Sequence, residues 1–229
     1  MCGLAVGNNR PAEQGVTFHS ADHSTGVGRT VPGPEDGWNE RYVSGDVPWD
    51  TGCPDTYLVR MVSRWPLCRG RVLEVGCGTG TNSIWLARQG FDVVGLDISG
   101  EAIAIARRRA EEQGVSCRFV RGDFLQCDVE EGEYIFLFDR GCFHSVPTEK
   151  GRRAFVARAA RLLAPRGLWL SMIGNSDDPL PDQGPPKLSA LEVATFMEPF
   201  FEILHLSSCM IESRGGEPPR FWQCLLKKR

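Results

Sequence analysis

From Arg71 onward, short apolar runs alternate with stretches in which apolar residues recur at helical spacing, the pattern of parallel strands joined by crossover helices and so of an α/β fold. Residues 72–75, 91–97, 116–121, 134–138 and 168–173 read as five buried strands. Residues 83–89 form the body of a first helix. In the second, Ser99 is placed to cap the N-terminus, Glu101 sits in the first turn, Ile103, Ala106 and Ala110 share a face, and Gly114 ends it. Arg107, Arg108, Arg109, Glu111 and Glu112 of that helix are predicted to form a solvated face. Pro147 opens another helix, with Phe155, Ala159, Leu162 and Leu163 on one side and Pro165 and Gly167 as its stop. Residues 189–197 read as helical, and 201–211 and 221–226 as a closing antiparallel pair.

The N-terminal part differs. Residues 1–34 are rich in Gly, Ser, Thr, Asn and Pro and lack apolar periodicity, which predicts a mobile tail or a lid ordered by ligand. Residues 35–66 bring in Trp38, Tyr42, Trp49, Tyr57, Leu58, Met61, Val62 and Trp65, which predicts a cap of short helices on one domain spanning 35–229.

Composition narrows the function. The chain of 229 residues is 41% hydrophobic and 24% charged, as a soluble domain with a sizeable core would be. Its 26 Lys and Arg against 29 Asp and Glu give a net charge of −3, so no broad positive field is present to hold a nucleic-acid backbone. The longest apolar runs, such as 134–138, fall far short of the roughly 20 residues of a membrane span, and residues 1–9 lack the charged flank of an export signal. Nine cysteines without a Cys-x-x-Cys pair fit reduced thiols in a cytoplasmic protein. His19 and His23 read as solvated, and no metal is expected.

The chemistry begins where the first strand ends, at Val72-Leu73-Glu74-Val75-Gly76-Cys77-Gly78-Thr79-Gly80. Gly76, Gly78 and Gly80 can take positive φ and let a ligand lie against the backbone, beyond the carboxyl end of a strand, where open α/β sheets bind ligands. The spacing is Gly-x-Gly-x-Gly, with Thr81 where a dinucleotide fold has its third glycine, and Glu74 at the edge would repel a pyrophosphate but suits a cation. Asp97, followed by Ile98, ends the second strand, where a carboxylate can accept ribose hydroxyls. Asp123 follows the third strand and can accept from an exocyclic amino group, with Phe124 beside the base.

Glu74 through Gly80, Asp97 and Gly122-Asp123 together resemble the first three motifs of the class I S-adenosylmethionine-dependent methyltransferases, over residues 71–173. That resemblance implies a three-layer Rossmann-like sandwich around a mostly parallel seven-stranded sheet with an antiparallel C-terminal pair. It also implies S-adenosyl-L-methionine as cofactor, held by Glu74, Gly76, Cys77, Gly78, Gly80, Asp97, Ile98, Asp123, Phe124 and Asp139. The fourth strand ends in Asp139-Arg140-Gly141-Cys142-Phe143-His144, not the Asn-Pro-Pro-Tyr or Asp-Pro-Pro-Tyr of base and amide methyltransferases.

A narrower likeness lies outside this core. Gly37-Trp38-Asn39-Glu40, Val47-Pro48-Trp49-Asp50-Thr51-Gly52, Asp139-Arg140-Gly141, Asp178-Pro179 and Gly184-Pro185-Pro186 resemble the thiopurine, thiol and halide methyltransferases. By position, Trp38 and Trp49 would lie over the methionine part of the cofactor or wall the acceptor pocket, where an aromatic face attracts a sulfonium; the alternative is that both are core. Arg140 would face the acceptor, or else pair with Asp139 or Glu74. His144, in a stretch that departs from the family, is a candidate general base, since an unperturbed imidazole titrates near about 6.5. Cys142 reads as packing. The expected activity is methyl transfer to a small thiol or similar soft nucleophile, under a lid from the N-terminal segment and loop 177–186. The alternatives are an O- or N-methyltransferase of a small natural product, with His144 or Asp139 as base, and a noncatalytic module that binds S-adenosylmethionine. The sequence leaves monomer and dimer equally open.

Overall fold

A computed structural model describes residues 34–65, 67–180, 186–214 and 217–229, which belong to one compact unit. The expected tail and part of loop 177–186 lie outside the described residues. Helices α1 (Pro34–Ser44) and α2 (Thr56–Arg64) precede the sheet, where a cap of short helices was read. Then follow β1 (Arg71–Val75), α3 (Thr81–Arg88), β2 (Asp92–Asp97), α4 (Gly100–Glu112), β3 (Arg118–Arg121), β4 (Tyr134–Arg140), α5 (Cys142–Ser145) and α6 (Glu149–Leu162). The chain ends with β5 (Leu163–Gly174), α7 (Ala190–Met197), β6 (Phe201–Met210) and β7 (Arg220–Lys228).

The strands form one seven-stranded sheet in the order β3-β2-β1-β4-β5-β7-β6, parallel from β3 to β5, with β7 inserted antiparallel between β5 and β6. This is the mixed, mostly parallel three-layer sheet expected. The connections bury both faces. Leu58, Met61 and Leu86 of α2 and α3 pack on one side against Val72, Phe136 and Phe138. On the other, Phe143, Phe155 and Phe196 of α5, α6 and α7 surround Trp169 of β5, with Phe143 at 6.0 Å and Phe155 at 5.9 Å between ring centroids. Among the described residues no helix is long and apolar enough to cross a membrane.

The helix starts follow the capping rules. Ser99 accepts from Ala102 N–H at 3.2 Å, as expected, and Ser189 and Glu192 form a reciprocal capping box on α7. Several boundaries move. The helix assigned to Pro147 starts at Glu149, because the Thr148 side chain accepts from Gly151 N–H at 3.1 Å and so caps it. β3 starts at Arg118, later than expected. β5 starts at Leu163, not Leu168: Arg166 at φ 63° and Gly167 carry an irregularity in the β4–β5 register, so the chain stays extended where a helix stop was read. A Cβ on Gly167 would lie 2.9 Å from Ala164 O and 3.1 Å from Tyr134 O, which is why glycine stands there.

Candidate active site

β1 delivers the chain into the glycine loop, where Gly76, Gly78 and Gly80 all have positive φ. The loop is held to the next strand: Gly76 and Cys77 N–H donate to Leu96 O at 2.7 and 3.0 Å. Asp97, at the end of β2, accepts from Gly78 N–H at 2.8 Å through Oδ2 and from Ser99 N–H at 2.9 Å through Oδ1. With Ile98 N–H as a third donor, the carboxylate still has lone-pair capacity for a ligand hydroxyl. Burial raises the Asp97 carboxyl above its ordinary value, with the Ser99 and Gly78 N–H groups acting against it.

Asp123 accepts from Leu125 N–H at 2.9 Å and from Gln126 Nε2 at 3.0 Å, beyond the end of β3. Phe124, expected beside the base, turns its ring into the core, with its centroid 4.2 Å from that of Phe155. Cys77 likewise packs inward with Ile84, Ile103 and Phe119, and burial pushes its thiol well above the ordinary value. Ile98 is half-buried beside Asp97.

The cap covers this loop. Asn39 of α1 accepts from Ser99 Oγ at 2.7 Å and Glu101 N–H at 3.3 Å, fastening α1 to the start of α4. Tyr42 reaches the glycine loop itself; a Cβ on Gly78 would stand 2.8 Å from its hydroxyl. Trp49 donates to that hydroxyl at 3.2 Å and meets Trp38 edge-on at 5.5 Å between centroids. The Arg41 guanidinium lies 4.2 Å from the Trp49 ring centroid, so one indole face already carries a cation. Of the two tryptophans, Trp49 lines the cavity described next and Trp38 does not.

Residues 47–55 form a strap with anchors at Asp50 and Asp55, and Pro48 O also accepts from Arg214 N–H at 2.7 Å and Ser213 Oγ at 3.2 Å. Asp50 accepts from Thr79 Oγ1 at 3.0 Å and pairs with Arg109 at 3.3 Å. Arg109 therefore leaves the solvated face assigned to it, whereas Arg107 stays exposed there while donating to Phe119 O at 2.8 Å. At the other end Asp55 caps α2, accepting from Tyr57 and Leu58 N–H at 2.9 and 3.1 Å, and takes Arg140 Nε at 3.0 Å. Arg140 also donates to Trp49 O at 3.1 Å and Glu212 O at 2.5 Å. The partner of Arg140 is thus Asp55, not Asp139 or Glu74. Beneath the strap is a cavity of about 260 Å³, lined among others by Trp49, Asp55, Glu74, Gly76, Arg140 and Met210.

Glu74 forms part of the cavity floor. It accepts from Asn82 Nδ2 at 2.9 Å and from the Ser83 hydroxyl, and burial pushes its carboxyl up to about 7 while these two hydrogen bonds act downward. The two proposed bases lie elsewhere. Asp139 is fully buried, accepting from Phe143 N–H at 3.0 Å and from the Trp169 indole at 2.8 Å; burial holds its carboxyl near about 6. It shapes the turn into α5. His144 is also buried; its Nδ1 accepts from Gly174 N–H, its ring packs on Phe221, and burial lowers its pKa to about 4. Neither residue lines the cavity. An imidazole that is neutral and already accepting at Nδ1 carries its proton on Nε2 and has no lone pair left for a substrate proton. Cys142 packs beside Gly76, and its thiol is pushed well up by burial.

Sequence reasoning missed Tyr42, Asn39, Asn82 and Asp55 as site residues. Asp55 had a usable signal, since an Asp just before Thr56-Tyr57-Leu58 is an N-cap pattern.

The sheet order, the glycine loop at the end of β1 and the acid at the end of β2 define a class I methyltransferase architecture. Comparison with known proteins agrees. Residues 72–167 match the family described as "Methyltransferase domain". Thiocyanate methyltransferase 1 of Arabidopsis thaliana is 30% identical over 197 residues, 78% of this chain and 82% of that protein. The 2-heptyl-1-hydroxyquinolin-4(1H)-one methyltransferase of Mycobacteroides abscessus is 27% identical over 73% of this chain and 74% of its own. A solved structure described as the conversion of a disulfide bond into a thioacetal group during echinomycin biosynthesis has a TM-score of 0.69 at 25% identity, over 79% of this chain and 85% of that one. Other neighbours were solved with S-adenosylmethionine or S-adenosylhomocysteine bound. The chain belongs to the class I S-adenosylmethionine-dependent methyltransferases, and S-adenosylmethionine is its methyl donor.

Proposed function

We propose that the protein methylates a small-molecule thiol, or a similarly soft nucleophile, in the cavity beneath the strap. The carrying observation is the state of the cavity acids among the described residues. Asp50 is paired with Arg109 and Thr79, Asp55 with Arg140, Glu74 holds Asn82 and Ser83, and Glu212 accepts from Thr56 Oγ1 at 2.8 Å. With each already engaged, and with His144 and Asp139 outside the cavity, an acceptor that supplies its own acidity fits this site best. A thiol does, ionising near about 8.5, and the adjacent Arg140 cation favours its thiolate.

The residues present suit the cofactor. Asp97 keeps free lone pairs for ribose hydroxyls, Asp123 can take an amino group, and Glu74 offers negative charge beneath the loop. Bound there, S-adenosylmethionine supplies an electrophilic methyl group on a sulfonium. The chain's own part is to position and to exclude water: Arg140 and Arg109 shut the strap, and Trp49 walls the cavity. The relatives named for thiocyanate and for a disulfide-to-thioacetal conversion support a sulfur acceptor. The relative named for a hydroxyquinolinone supports a second reading, an acidic N-hydroxy heteroaromatic that likewise ionises unaided.

The test is to incubate the protein with methyl-labelled cofactor and paired thiol, phenol, amine and N-hydroxy acceptors and follow the label by mass spectrometry. Transfer to the thiols supports the proposal; transfer to the phenols or amines alone refutes it.

A further inference from the structure

Asn82 stands in the first turn of α3, and its side chain lies between two carboxyl-bearing residues of the cavity. Its Nδ2 donates to Glu74 Oε1 at 2.9 Å, and its Oδ1 accepts from Asp55 N–H at 2.8 Å. The orientation is forced: a carboxylate only accepts and a backbone N–H only donates, so one of the two amide orientations satisfies both. Beyond Asp55 the chain of bonds continues through Arg140 to the carbonyls of Trp49 and Glu212. One amide therefore joins the acid below the glycine loop to the clamp that closes the strap.

We propose that Asn82 is a positioning residue that holds the Glu74 carboxylate beneath the cofactor loop and, through Asp55, fixes the strap over the acceptor cavity. This rests on the reading of that cavity as the acceptor site, and it gives the site a residue with two separable duties. The groups facing Glu74 are Asp97 from β2, Cys77 from the glycine loop, Cys117 just before β3, and Asn82 and Ser83 of α3. Burial pushes both thiols up, Cys117 to about 11, whereas Glu74 is pushed up to about 7 and is the acid that Asn82 holds. A cationic cofactor binds better beside an ionised Glu74, so affinity rises with pH through the range where Glu74 loses its proton.

The experiment is calorimetry of S-adenosylmethionine binding from about pH 5.5 to 8.5, with acceptor kinetics on a small aryl thiol, for the wild type, Asn82→Ala, Asn82→Asp and Glu74→Gln. Asn82→Asp keeps an oxygen for Asp55 N–H but sets a negative charge against Glu74, and should move the acid limb of affinity up by about one pH unit or more. Asn82→Ala should move that limb less and raise the acceptor KM about fivefold, as expected for a lost hydrogen bond; the Asp variant should raise KM less than the Ala variant does. Glu74→Gln should abolish the limb. An acid limb unmoved by both Asn82 variants, one that persists in Glu74→Gln, or equal KM losses in the Ala and Asp variants would overturn the proposal. The calorimetric arm needs no acceptor, so failure of the thiol reading shows separately, as absent turnover in the wild type.

Discussion

Arg140 Nε donates to Asp55 Oδ2 at 3.0 Å across 85 positions of sequence, and the two side chains are 12% and 4% exposed. This one guanidinium holds the strap, the start of α2 and the segment after β6 together at the end of β4. Breaking a buried pair from one side leaves the other charge without compensation. Arg140→Ala should therefore cost about 3 to 5 kcal/mol of unfolding free energy and should harm acceptor kinetics more than cofactor affinity. Urea unfolding and calorimetry check this; an unchanged midpoint, or equal losses in both functions, would remove the clamp.

Asp97→Ala removes the acceptor at the end of β2 and the anchor of Gly78 N–H together. Affinity for S-adenosylmethionine should fall at least about tenfold, the scale of a charge-assisted hydrogen bond. Unchanged affinity in calorimetry would refute the ribose assignment.

The strap's second anchor, Asp50 with Arg109, has side chains 9% and 31% exposed. A double-mutant cycle with Asp50→Asn and Arg109→Met should give a coupling energy of about 1 to 2 kcal/mol, and either single change should speed proteolysis near Gly52. Coupling indistinguishable from zero would make Arg109 the solvated side chain that its sequence suggested.

His144 offers a pH test. Its pKa falls to about 4 in the folded protein against about 6.5 in the unfolded chain, so between those values the unfolded chain holds the extra proton. The stability tied to neutral His144 is complete above pH about 6.5 and declines as pH drops toward about 4, by up to about 3 kcal/mol. Asp139, raised to about 6 by burial, acts in the opposite sense over part of this window, so the difference between wild type and His144→Asn isolates the histidine. Relative to the wild type, the variant, whose amide can still accept from Gly174 N–H, should gain stability on going from pH 7 to pH 5, while turnover with thiols stays measurable. Complete loss of turnover without loss of stability would restore His144 as a base.

What could be read in the sequence follows from what is local. The runs at 72–75, 91–97 and 134–138 gave their strands because a strand buried on both faces is apolar throughout. Ser99 and Ser189 marked helix starts because capping spans three residues. The glycine loop and Asp97 were legible because a strand-to-helix turn needs positive φ within five positions. Partners distant in the chain were not legible: Asp55 and Asn82 are 27 positions apart, Asp50 and Arg109 59, and no periodicity reports either pair. Nor does the run Gly122-Asp123-Phe124 reveal which way the phenylalanine turns; its contact with Phe155, 31 positions on, is not local.

A nucleophile that brings its own acidity needs no protein base, so the most direct measurement is the pH dependence of kcat/KM for a series of thiols of different pKa. kcat/KM should rise with pH to a plateau, and this acid limb should shift with each acceptor, following the pKa of its own thiol. A limb fixed at one pH for every thiol, or methylation confined to oxygen or nitrogen acceptors, would contradict the assignment.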